Sequence, residues 1–180
     1  MVRFECSLIV WIVTLALSTS VATVGAQVGA PAPPSNLKAG HFQSVVNGMW
    51  RDSATFREQC ERLGAQPGLI VTVSADMPRP GASTRAKTTI LRRGRKMFAE
   101  IVLQSPYDHV ELIAHEIEHV IELLDGVKLR TTACEGSRNP PGVYESCRAV
   151  EAGRRVEREV EEARAVRAIA SSEGASPARP

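Results

Sequence analysis

The chain has 180 residues, 43% of them hydrophobic and 23% charged, with a formal net charge of +2. That composition excludes a disordered, collagen-like or multi-pass membrane protein, and a charge so near zero argues against bulk attraction to nucleic acid or anionic membrane. Aromatics make up only 4%, so the core must come mostly from Val, Ile, Leu and Ala.

The N-terminus reads as an export signal. Arg3 precedes an apolar run from Leu8 to Leu17, and Val24-Gly25-Ala26 offers small residues before Gln27. This is the layout of a secretory signal peptide over residues 1–26, its apolar run too short for a comfortable transmembrane span. An uncleaved N-terminal anchor is the competing reading, because apolar character trails on to Val24. The expected location is secreted or periplasmic. Residues 27–180 are enough for one compact domain and hardly enough for two. Removal of the signal takes Cys6 and leaves Cys60, Cys134 and Cys147, an odd count that suggests one disulfide and one free thiol. Cys134 and Cys147 are the expected pair, since the polar, Pro/Gly-rich segment between them would benefit from a staple. Cys60 falls in register with Phe56 and Leu63 and reads as a buried thiol.

From Gln27 to Asn47 the Ala/Pro-rich composition predicts a flexible arm. A first helix is expected from Asp52 or Ser53 to Leu63, closed by Gly64. Leu69–Val73 reads as a buried strand, and Met77–Ser83 as loop. Lys87–Leu91 and Met97–Leu103 form a hairpin pattern around Arg92-Arg93-Gly94-Arg95-Lys96. That basic cluster suggests phosphate binding, but a solvated hairpin tip accounts for it and no aromatic platform accompanies it. The longest helix should open at Ser105-Pro106-Tyr107-Asp108 and close at Gly126. An irregular stretch follows to Gly142, then a final helix from near Val143 toward Ile169, with a frayed tail over 171–180. The sum is an α+β domain spanning 48–170.

The chemistry lies in the long helix, in His115-Glu116-Ile117-Glu118-His119. Histidines four apart share a helix face, so both imidazoles can reach one zinc ion. Glu116, about 100° round the helix from His115, is placed to bond the metal's water and act as general base. Val110, Ile113, Ile117, Val120, Ile121 and Leu124 form an apolar stripe, with His115, His119 and Glu122 on roughly the opposite side. The pattern is that of a helix lying between a core and a metal cleft.

A third protein ligand is required, and no histidine follows His119. Glu122 is on the correct face but one turn further along the same helix, which suits fixing the ring of His119 better than ligating. Glu145, taken as part of the final helix, projects toward its apolar seam of Ala149, Ala152, Val156, Val160 and Ala163, where an unpaired carboxylate would be costly. It is the preferred candidate, against the alternative of a first-turn glutamate facing the helix dipole.

The segments ELIAHEIEHVIELLDG and YESCRAVEAGRRVEREV together resemble small bacterial zincin-like metallopeptidases of the gluzincin type. The resemblance covers roughly Trp50 to Glu162. It implies zinc held by His115, His119 and Glu145, with Glu116 as the base. It also implies a zincin-like fold: a helix and small twisted sheet above the cleft, the motif helix below, and the glutamate-bearing helix behind. The glutamate motif of the large gluzincins is not present, and no separate substrate-binding subdomain follows. Tyr144, Tyr107 and His109 are candidates for stabilising an oxyanion. The second hairpin strand could take an extended peptide by strand addition.

The expected function is thus a secreted, monomeric zinc metallopeptidase acting on a peptide or protein, with no nucleic-acid partner and no stable membrane association after signal cleavage. Two alternatives stay open: a zinc-binding domain of the same fold that binds a partner without hydrolysis, and a metal-free α+β domain working through its surface.

Overall fold

The architecture comes from a computed structural model, which describes residues 32–76, 84–127 and 145–173. The expected signal peptide, the loop over 77–83, most of the irregular stretch with Cys134, and the tail after 173 lie outside the described residues. The elements run β1 (Leu37–Lys38), α1 (Gln43–Asp52), α2 (Ala54–Gly64), β2 (Leu69–Ala75), β3 (Ala86–Arg93), β4 (Lys96–Leu103), α3 (His109–Leu124) and α4 (Cys147–Glu173), with a short 3-10 turn at Gly40–Phe42. The fold is mixed α and β, as its class was read.

One sheet holds the four strands in the order β1-β2-β4-β3. β1, β2 and β4 are parallel, and β3 returns antiparallel to β4. Leu69, Val71 and Val73 of β2 and Met97, Ala99, Ile101 and Leu103 of β4 are buried on one face, following the period-two alternation of a sheet packed on one side. Against that face lie Ile113, Ile117, Val120 and Ile121 of α3, all fully buried. Gly94, at φ +60°, makes the tight turn between β3 and β4.

The arm expected over 27–47 is, from Leu37 onward, part of the fold. Leu37, Ala39, Phe42 and Val46 are buried core residues, and Val71 N–H donates to Asn36 O at 2.9 Å as β1 joins the sheet. The Ala/Pro composition masked an apolar spacing at Phe42, Val46, Met49 and Trp50 that is helical. Ser53 caps α2, its Oγ accepting from Phe56 N–H at 2.9 Å. Glu159, on α4, adds a second cap. It accepts from Thr55 N–H at 3.1 Å and from the Thr55 and Ser53 hydroxyls.

Two helix starts differ from expectation. α3 begins at His109, not at Ser105, after Asp108 in a left-handed conformation with φ 60°. Arg85 ties that end down, bonding Asp108 at 3.0 Å and Glu111 at 2.8 Å. α4 begins at Cys147, where Ser146 Oγ accepts from Ala149 N–H, so Glu145 precedes the helix altogether. Cys60 is a free, buried thiol, and burial with nearby Glu61 pushes its pKa up to about 12. Cys147 is disulfide-bonded, while the expected pairing with Cys134 falls outside the described residues.

α3 and α4 approach closely at Gly153. A β-carbon there would lie 2.8 Å from Glu111 O and 3.1 Å from His115 Cβ. In an open helix interior, alanine is more stable than glycine by about 1 kcal/mol. Here a backbone oxygen would have to move, so Gly153→Ala should instead destabilise, by about 1–3 kcal/mol, as a lowered denaturant midpoint would record.

Asp52 closes the other end of α4 through Arg167, at 2.6 Å and 2.7 Å, and also holds Arg51. The Arg51 hydrogen bond, outweighing burial, together with Arg167 keeps its carboxyl well below the usual range. A depressed folded-state pKa contributes stability above the unfolded value, near 3.9 for Asp, and that contribution is lost as pH falls through the folded value. Unfolding free energy measured from pH 6 to pH 2 should therefore decline, and Asp52→Asn should flatten the decline.

Candidate metal centre

Three side chains converge where α3 meets the start of α4. His115, His119 and Glu145 each offer a ligand atom, and these atoms lie within 4.8 Å of one another. Glu145 Oε1 is 2.8 Å from His115 Nε2 and 3.9 Å from His119 Nε2. The two imidazole rings meet edge to face with centroids 4.8 Å apart. Ligand atoms of one tetrahedral zinc, each about 2.1 Å from it, are separated by roughly 3.4 Å. The observed spacings bracket that value.

The fit has a second support. Glu145 Oε1 is buried and makes no hydrogen bond of acceptable alignment among the described residues. Its nearest polar neighbours are the two Nε2 atoms, and a cation between the three would satisfy it more fully than the contact with His115 alone. Zinc suits a set of two imidazoles and one carboxylate.

Glu145 was placed here by reading it as part of the final helix. It comes instead from the residue before the Ser146 cap. The packing of α4 along α3 brings that residue to the histidines, not its angle on a helical wheel. The ionisable side of α3 is likewise more enclosed than a cleft-facing helix would be. Every residue from Leu112 to Glu122 is buried.

Glu122 does what its place on the helix suggested. Its Oε2 lies 2.9 Å from His119 Nδ1, and Ser146 adds a side-chain hydrogen bond. Burial raises the Glu122 pKa, but the His119 and Ser146 bonds and the charge of Arg148 outweigh it and leave the group below the usual carboxylate range. An ionised carboxylate only accepts, so the proton of His119 sits on Nδ1 and Nε2 keeps its lone pair for a metal. At His115 burial opposes a charge, but the contact and charge of Glu145, with Glu116 and Glu111 nearby, raise its pKa above the ordinary value. A pocket that favours a cation on imidazole favours a bound cation for the same reason.

Glu116 is 6% exposed and receives a hydrogen bond at Oε2 from the Thr88 hydroxyl of β3. Thr88 was not singled out from the sequence, because nothing local marks a strand threonine as the partner of a helix glutamate 28 residues on. Glu118 turns away from the cluster, to Gln59 Nε2 at 2.7 Å and Arg148 Nε at 2.6 Å.

Other candidates do not join the site. His109 Nε2 lies 3.2 Å from Ser105 O and its ring stands on the edge of Phe42 at 4.9 Å, which is an anchoring role. Tyr107 is 73% exposed, and Tyr144 lies outside the described residues. The strand expected to accept a peptide, β4, is bonded on both sides by β2 and β3. Among the described strands, β3 and β1 are the edges. Comparison with protein-family models, curated proteins and solved structures gave no match. The resemblance to gluzincins therefore rests on the motif residues. No helix among the described residues is long and apolar enough to cross a membrane.

Glu122→Gln keeps the shape of the side chain and removes its charge. It should weaken zinc binding about tenfold or more without changing the number of sites, as competition against a chromophoric chelator would measure.

Proposed function

We propose that this chain is a zinc-dependent metallopeptidase of zincin-like fold, exported by its N-terminal signal. The observation that carries the reading is the convergence of Glu145 Oε1 on the Nε2 atoms of His115 and His119, on a helix whose Glu116 stands next to the first of them. His115, His119 and Glu145 would hold the ion. Zinc, when bound, lowers the pKa of a coordinated water toward neutrality and polarises a carbonyl.

The protein's own groups supply the rest. Glu116 is anchored at Oε2 by Thr88, which leaves Oε1 to take a proton from the attacking water and pass it to the departing amine. Its burial beside β3 keeps the carboxylate from swinging into solvent. Glu122 holds the ring of His119, and Gly153 sets the separation of α3, which carries the histidines, from α4, which Glu145 precedes. A peptide substrate would lie along the free edge of β3, whose Thr88 already touches the base.

A closed structural zinc site has four protein ligands and needs no base. Three ligands with an adjacent anchored glutamate favour catalysis over a purely structural ion. The test is metal content beside turnover. Wild type should carry one zinc per chain, lost in both His119→Ala and Glu145→Ala. Glu116→Gln should keep its zinc and lose cleavage of a mixed peptide pool by at least about a hundredfold. Zinc binding without cleavage in any peptide would leave the non-catalytic binding module, and no zinc after reconstitution would end both readings.

A further inference from the structure

We propose that the substrate is an acidic peptide, whose carboxylates are received by a cationic pocket beneath the tip of the β3–β4 hairpin, which Arg92 joins to the edge of β3. This rests on the metallopeptidase reading and adds the class of substrate to it. The pocket is a cavity of about 310 Å³ between the hairpin tip and the last turn of α3. Leu69, Met97 and Leu124 line it with apolar side chains, Gln66 and Pro67 bound it before β2, Arg92, Arg95 and Lys96 add their charges, and among the described residues no carboxylate lines it.

Among the described residues these cations have no carboxylate partner. Arg51, Arg62, Arg85, Arg148, Arg155 and Arg167 each hold a carboxylate. Arg92, Arg95 and Lys96 hold none among the described residues. Arg93 and Lys96 also face one another across the ladder, a like-charge pairing that disfavours the hairpin. A solvated tip explains exposed charge but not a cavity walled by three cations. An anion seated there would relieve the mutual repulsion of Arg92, Arg95 and Lys96.

The position of the pocket relative to the metal centre decides what kind of anion. Residue pairs in an antiparallel ladder alternate between bonded and non-bonded, and Arg85 O accepts from Gln104 N–H at 2.8 Å. With the register Lys87↔Val102 and Arg93↔Lys96, the odd-numbered residues of β3 bond β4. Ala86, Thr88, Ile90 and Arg92 then direct their N–H and C=O groups to the free edge. Thr88, which holds the base, and Arg92, at the pocket, thus belong to one row of main-chain donors and acceptors. They are four residues apart, about 13 Å along the strand. A strand added to this edge would pass the candidate metal site and end beside Arg92, the β3 residue of the pocket. A lone phosphate would use the charge but not the row of backbone groups; an extended peptide uses both. Antiparallel addition, the slightly more stable pairing, puts the acidic residues three to five positions N-terminal to the cleaved bond.

The experiment uses full-length Glu116→Gln protein loaded with zinc and three fluorescent decapeptides. These are identical except for Glu-Glu, Gln-Gln or Lys-Lys at the positions just named, and binding is read by anisotropy. The acidic peptide should bind about tenfold tighter than the neutral one at low salt, and the difference should shrink in 0.5 M NaCl. In Arg92→Glu/Lys96→Glu, made in the same background, the preference should pass to the Lys-Lys peptide. Equal binding of all three peptides overturns the proposal with no variant needed, as does a preference untouched by the double substitution. Wild-type cleavage separates this inference from the activity it rests on. Cleavage without charge preference would sink the acidic-substrate class alone. Selective binding of the acidic peptide with no cleavage would sink the peptidase reading and leave the pocket.

Discussion

The contact of α3 with α4 at Gly153 is what the rest of the site depends on. With no side chain at that point, the backbone of α4 lies against Glu111 O and the β-carbon of His115. The start of α4 is thereby carried over the ionisable face of α3, and Glu145 reaches the two histidines from an irregular segment with no helical preference of its own. A helix pair spaced by a larger residue would separate the carboxylate from the imidazoles and also loosen Ala149, Val156 and Val160, which α4 buries. The convergence of His115, His119 and Glu145 is thus a property of an interhelical distance, not of one motif.

Around that contact, α3 serves as a polar axis inside an apolar domain. Glu116, Glu118 and Glu122 are all buried, and each is satisfied by a different neighbour. Thr88 comes from β3, Gln59 and Arg148 from α2 and α4, and His119 and Ser146 from α3 itself and the cap of α4. Buried carboxylates are tolerated only when so partnered. The same bonds that satisfy them fix the rotation of α3 about its own axis. The direction in which His115 and His119 point is set by those bonds as much as by packing.

Much of this was legible from local pattern. α2, β2, the hairpin and the body of α3 follow directly from apolar period and punctuation, and the supporting role of Glu122 follows from its place one turn beyond His119. What escaped was non-local. A hairpin pattern says that β3 and β4 pair but not which of them β2 joins, so the edge was assigned to the wrong strand. The composition held a clue. β4 reads Met-Phe-Ala-Glu-Ile-Val-Leu, nearly continuous apolar residues suited to a central strand, whereas β3 ends in arginines suited to an edge. Glu145 was assigned to the correct neighbourhood by a wheel that does not extend to it, since the cap at Ser146 is settled by tertiary contact. α1 was lost because Pro and Ala ahead of it resemble a linker and no capping side chain announces it.

The odd thiol of the domain has a use that its burial creates. Cys60 is enclosed by the core and held protonated near neutral pH, so it is poorly nucleophilic and out of reach of disulfide exchange while the chain stays folded. Any reagent that labels it must wait for an opening of the helix that carries it. The rate of that labelling is then a built-in clock for the domain, counting how often α2 leaves the core.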